Sequence, residues 1–343
     1  MLRRQALGEI RNRTIQPGRG FGKAHIRSLQ PISKPQSVFK EEADEEEMET
    51  SRSHEEPMEM ETAIPPLYEN IDEDDADNPQ LCSEYVNDIY KYMRELEVKY
   101  TVPSTYMTSQ RDINAKMRAI LVDWLIQVHQ RFHLLPETLY TAISLLDRYL
   151  AVQAVPRNRL QLVGVTAMLV ASKYEEIYAP ELRDFVFIAD NAYTAAQIRA
   201  TERTMLRVLK FELGKPLPLH FLRRNSKAGQ VDAEIHTVAK FLLELSLPDY
   251  SMLAFKPSQI AASALYISLI VNNSTIGWNP TLIHYSTYNK KEIQPCVRRL
   301  CELVKESETS KLQAVRKKYS SPKFLSVAEK PMLKGSFIMS IAY

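Results

Sequence analysis

Residues 117–128 constrain the fold more than any other stretch of the chain. On a helical wheel at about 100° per residue, Met117, Leu121, Trp124 and Val128 share one stripe. Ile113, Ile120, Leu125 and Phe132 flank it, while Ala119, Val122 and Ile126 cover much of the opposite side. A helix apolar nearly all round has to be wrapped by other helices. Two charges interrupt it, Arg118 and Asp123. A guanidinium enclosed in such a helix needs a fixed carboxylate, because an unpaired buried charge is costly. Asp147, within the next apolar helical segment Leu139–Leu150, is the candidate partner.

The rest of the chain supplies the wrapping. A first helix is expected over Cys82–Val98, capped by Ser83 or Asn87, with Tyr85, Ile89, Met93 and Leu96 at helical spacing. Pro136 opens a third helix and Pro156 a fourth, which is rich in small residues at Gly164, Ala167 and Ala171. A short helix follows Pro180, and another runs from Thr194 to Phe211. Gly214-Lys215-Pro216 breaks the pattern. Helical segments resume at 217–224, 231–247, 257–272, 290–306 and 310–319. The alanine-rich 257–266 repeats the logic of the fourth helix, and no strand pattern competes. The expected fold is all-α, two tandem five-helix bundles preceded by an N-terminal helix. The boundaries read as 1–80 tail, 81–213 first bundle, 214–320 second bundle and 321–343 C-terminal tail.

Net charge matters only when split. Residues 1–40 carry nine Lys/Arg and one acid; residues 41–61 carry eleven acids and one base. Such blocks, with scattered prolines and no periodicity, read as a disordered tail. The basic block lacks the interleaved aromatics of a nucleic-acid stacking platform. Gly18 to Gly22 follows no strand and opens no helix, so it is no phosphate loop. Cys82, Cys296 and Cys301 form neither a disulfide framework nor a zinc pattern and fit a reducing compartment. No run of about 18 apolar residues calls for a membrane span, and the N-terminus lacks the apolar core of a secretory signal. His129 and His133 lie four apart on a helix without a third ligand. No catalytic constellation, metal site or cofactor motif emerges, so the expected function is recognition, not catalysis.

Met117-Arg118-Ala119-Ile120-Leu121-Val122-Asp123-Trp124-Leu125 resembles the signature of the cyclin family. Leu160-Gln161-Leu162-Val163-Gly164 and Ala171-Ser172-Lys173-Tyr174-Glu175-Glu176-Ile177 match it further along, and 221–228 resembles the B-type, mitotic members. The resemblance implies two cyclin-box bundles and a regulatory subunit that binds and activates a mitotic cyclin-dependent kinase. A helical scaffold in nucleic-acid-associated complexes is the alternative; it would call for a zinc ribbon or a strongly basic folded region.

Carried onto this chain, the resemblance implies a kinase face of Lys173 and Glu202 with apolar contacts from Tyr85, Ile89, Phe211 and Leu213. Read alone, Lys173 is equally a solvated helix end, and the apolar four are equally core. It implies a docking patch for Arg-x-Leu substrates at Met117, Leu121 and Trp124, with a second wall of Arg157, Leu160 and Gln161. Read alone, Met117 and Trp124 are core. Gln127 stands where some cyclins carry an acid, which weakens docking, and Ala179 replaces a proline. Arg4, Leu7 and Asn12 resemble a destruction box, which implies a ubiquitin ligase of mitotic exit as a further partner. A degron suits a disordered tail, since a docking peptide must be free to extend. Neither nucleic acid nor membrane is expected as a partner, and the expected location is cytoplasm and nucleus.

Overall fold

The computed structural model describes residues 68–342; Arg4, Leu7, Asn12 and the charged blocks around them lie outside the described residues. Among the described residues the regular structure is helical, without strands. Helix α1 (Val86–Lys99) precedes the first bundle. That bundle comprises α2 (Ala115–Phe132), α3 (Pro136–Val152), α4 (Leu160–Glu175), α5 (Leu182–Ile188) and α6 (Ala195–Val208). The second comprises α7 (Pro218–Ala228), α8 (Ala233–Ser246), α9 (Pro257–Val271), α10 (Pro280–Ser286) and α11 (Lys290–Ser307). Two short helices follow, α12 (Ala314–Tyr319) and α13 (Gly335–Ile341).

Local chemistry sets the ends. The Asn114 side chain accepts from the Met117 amide and caps α2, while His133 closes it in a left-handed conformation at φ 54°. Pro136 occupies the first turn of α3, where its missing N–H is harmless. Thr194 and Gln197 form a reciprocal capping box on α6. α4 is buried along almost its whole length. A Cβ on Gly164 would come within 2.8 Å of Leu121 Cδ1, so the missing side chain is what lets α4 close on α2.

The buried guanidinium has the partner expected of it and more. Arg118 Nε and Nη2 donate to the two Asp147 carboxylate oxygens at 2.6 Å each. The two side chains are 2% and 4% exposed. Tyr106 adds a hydroxyl bond to the same carboxylate at 2.8 Å. Arg118 Nη1 then reaches into the second bundle, to the carbonyls of Leu247 at 3.0 Å and Pro248 at 3.2 Å. The pair therefore fastens α2 to α3 and also one bundle to the other. Asp123 plays a different part. It accepts from the Ala314 amide at 2.9 Å and holds the start of α12 against α2.

Several boundaries differ from the sequence expectation. α1 begins at Val86, not Cys82, because Cys82 sits at φ 49°. Neither Ser83 nor Asn87 caps it; Asn87 instead accepts from Arg224. Pro156 precedes a 3-10 turn, Arg157–Arg159, and α4 starts only at Leu160. The second bundle counts α10, seven residues long, among its five helices, and not the segment 310–319. That segment contributes the six-residue α12, which lies across α2 and α8.

Both expected tails are partly folded. Residues 68–75 strap the second bundle: Asp72 accepts from Arg224 at 2.5 Å, and Tyr68 stacks on His284 at 3.5 Å. Burial alone would raise Asp72, but Arg224 and Lys227 outweigh it and hold the carboxyl below its ordinary range. Beyond residue 320, Val327, Ala328, Leu333 and Ile338 are fully buried, and α13 packs on α11 and α9. Most of these apolar residues ride on 3-10 turns, which carry no 3.6-residue period for sequence reasoning to detect. The C-terminal segment is pinned further by a buried triad. Lys318 Nζ donates to both Glu244 oxygens at 2.7 Å and the Tyr319 hydroxyl to one of them at 2.7 Å.

Candidate functional site

At the end of α4 the usual polarity is inverted. Glu176 turns inward, where its carboxylate accepts from the Leu135 amide at 2.7 Å and from the Thr138 hydroxyl. Glu175 accepts from Thr141 at 2.6 Å. These bonds anchor the α4 terminus to the start of α3. The next two residues point the other way, leaving Ile177 90% and Tyr178 92% exposed. Large apolar residues left in water in a cluster mark an interaction face.

Lys173 and Glu202 are brought together beside this turn, Nζ to Oε1 at 2.7 Å, joining α4 to α6. Their side chains are 53% and 15% exposed. Phe211 is also presented to solvent, 70% exposed, from a left-handed pair with Lys210 at φ 58° and 54°. Three elements hold that segment. Arg148 donates to the Glu212 carbonyl at 2.6 Å, Lys99 of α1 pairs with the Glu212 carboxylate at 3.2 Å, and Gly214 lies against the Tyr174 hydroxyl. Leu213 is half-buried in the core margin.

α1 completes the surface. Its inner side is polar and is spent on the second bundle. The Tyr90 hydroxyl donates to the His220 carbonyl at 3.1 Å, and Arg94 to the carbonyls of Tyr285 and Ser286 at 2.9 and 3.0 Å. Glu97 accepts from the Ser258 amide and hydroxyl at 3.0 and 2.7 Å. Tyr85, Ile89 and Tyr92, spaced to fall on one outer stripe, are left exposed. Sequence reasoning singles out Tyr85 and Ile89 but misses Tyr92, Tyr174, Ile177, Tyr178 and Phe187, all exposed. A signal exists for two of them. Ile177 and Tyr178 fall after a helix end and before Pro180, where no helical stripe can claim them.

The second candidate patch is mostly floor. Leu121, Trp124 and Leu160 are buried, Met117 and Gln161 are half-exposed, and Arg157 is exposed. Leu121 meets Gly164 across the α2–α4 contact. The accessible part is therefore narrow: Met117, Gln161 and Arg157 above an apolar base. Gln127 is exposed and donates to Asp123 Oδ2 at 3.0 Å. Asp123 thus has both oxygens engaged, one by Gln127 and one by Ala314. Among the described residues no group of His, Cys, Asp and Glu is arranged to hold a metal.

Comparison with known proteins agrees with this architecture. Residues 88–214 match the family described as cyclin, N-terminal domain, and residues 216–333 match cyclin, C-terminal domain. A G2/mitotic-specific cyclin-B of Marthasterias glacialis is 56% identical over 274 residues, 80% of this chain and 70% of that protein. A G2/mitotic-specific cyclin-B2 of Anguilla japonica is 55% identical over 276 residues, again 80% and 70%. The X-ray structure of a viral cyclin from herpesvirus saimiri shares the fold, at a TM-score of 0.55 and 19% identity. That match covers 62% of this chain and 95% of the viral protein. With both domains matched in tandem and relatives identical at more than half their aligned positions, the chain belongs to the cyclin family of regulatory subunits, in its B-type, G2/mitotic branch.

Proposed function

We propose that this chain binds and activates a mitotic cyclin-dependent kinase at the G2/M transition, through the face built on Lys173, Glu202, Phe211 and α1. The observation that carries the reading is the exposure of Ile177, Tyr178 and Phe211 on the segments that follow α4 and α6, the two helices joined by the Lys173–Glu202 pair. Such kinases need a Lys–Glu ion pair set by the position of one helix. A rigid apolar surface that binds only the inward arrangement of that helix shifts its population by the differential affinity. No chemistry is required of the cyclin. Met117, Gln161 and Arg157, with Leu121, Trp124 and Leu160 beneath, would dock Arg-x-Leu substrates. A neutral Gln127 in place of an acid makes this docking weak.

One kinetic experiment separates the two faces. Glu202→Ala strands Lys173 in the interface, and truncating one partner of a desolvated pair costs about 2–5 kcal/mol. Kinase affinity should fall by roughly thirtyfold or more, with activity lost equally on all substrates at limiting cyclin. Met117→Ala with Gln161→Ala should leave kinase binding and kcat intact and raise KM only for substrates bearing Arg-x-Leu. A loss of kcat on a short generic peptide in the second variant would assign that patch to the kinase.

The destruction box belongs to the same reading. Arg4→Ala with Leu7→Ala should let the protein persist through mitotic exit in cytoplasm and nucleus while its activation of the kinase is unchanged. Disappearance on the normal schedule would mean that another signal recruits the ligase.

A further inference from the structure

A cavity of about 240 Å³ lies where α1, α3, the link between the bundles and the start of α9 converge. It is separate from the two faces above. Tyr140, Ile143, Met252, Phe255 and Ile260 supply apolar walls. Among the described residues, Ser144 and Lys215 are among the polar groups of the lining that lack side-chain partners. Ser144 Oγ is sealed from solvent and makes no hydrogen bond. The Lys215 ammonium, half-buried at the link, has no hydrogen-bond acceptor; Asp147 and Glu97 act on it only from a distance.

The carboxylates at the cavity are already committed, and the one further unpaired cation of the lining among the described residues, Lys256, is exposed. Asp147 is held by Arg118 and Tyr106, Glu97 by two bonds from Ser258, and Asp249 by Arg299. Burial holds the Lys215 ammonium below its ordinary range, so an anion placed beside it would be favoured. A cavity enclosing roughly 150 Å³ takes benzene when its walls are apolar, and this one has room for a ring and a short acidic arm. We propose that the junction cavity is a binding site for a small amphipathic carboxylate, its anionic head on Lys215, its apolar body against Ile143, Met252 and Phe255.

Phenylacetate and its neutral isostere phenylacetamide test the site when titrated into the full chain by ligand-observed NMR. The carboxylate should bind at least about tenfold more tightly than the amide, as expected for a charge-assisted bond. Lys215→Met should remove that preference and leave amide binding unchanged, and Ser144→Phe, which fills the space, should abolish both. No binding of either compound would overturn the proposal and leave the cavity to water. Equal affinity for carboxylate and amide in the unaltered chain would also overturn it. That last comparison needs no variant, so the test survives if Lys215→Met or Ser144→Phe fails to fold.

Discussion

Replacing Arg118 with methionine is expected to lower the melting temperature by roughly 6–20 °C, from a loss of about 3–5 kcal/mol. The reason is not the strength of the ion pair itself. A buried pair roughly breaks even against apolar residues of the same size, but a buried carboxylate without its cation does not. In Arg118→Met, Asp147 would keep only the Tyr106 hydroxyl, and the carbonyls of Leu247 and Pro248 would lose their donor. One further measurement identifies the mechanism. Arg118→Met with Asp147→Leu should recover most of the loss, since no charge is stranded. An unchanged melting temperature in the single variant would refute the buried latch.

The second large effect is expected at Glu244. The Glu244 and Lys318 side chains are 3% and 4% exposed, and the Tyr319 hydroxyl shares the carboxylate. Glu244→Gln keeps the shape and removes the charge, stranding Lys318 at a cost of about 3–5 kcal/mol. The damage should be regional. Lys318 and Tyr319 belong to α12, which leads into the segment packed on α11 and α9. Amide exchange in residues 314–342 should therefore accelerate more than in α2–α4. Adding Lys318→Met should restore slow exchange. Uniform acceleration along the whole chain would mean that the triad supports global stability and not this region alone.

What is legible in the sequence follows from which physical demands are local. Arg118 in a helix apolar on all sides requires an acid, and the next helix offers Asp147; that inference needs only periodicity and charge. Tyr106 also bonds the carboxylate, but it lies in a four-residue 3-10 turn with no period to place it. α4 is legible because small residues at Gly164 and Ala167 serve a close approach. α10 is not, since seven residues give too few turns to register. At the site, Lys173 and Glu202 are found only by family resemblance, because residues so distant in sequence leave no local mark of their pairing. The exposed Ile177 and Tyr178 escape because periodicity reports on helices, and these residues sit in the break between two. The strap reads as tail for a related reason: Asp72 is one acid in an acidic run, and only its fit to Arg224 distinguishes it.

The outer face of α1 and the Lys173–Phe211 surface make up the proposed kinase face; α1 takes most of its support from the second bundle and the other surface from the first, with the Lys99–Glu212 pair as the direct link between them. The arrangement is that of a vice whose two jaws are bolted to different halves of the frame. Any rotation at the junction would be multiplied by lever arm at the jaws, spoiling the grip without touching a single gripping residue. Arg118 clamps the two halves at that junction. Substitutions there should therefore change the fit of the gripping surface even in molecules that remain folded.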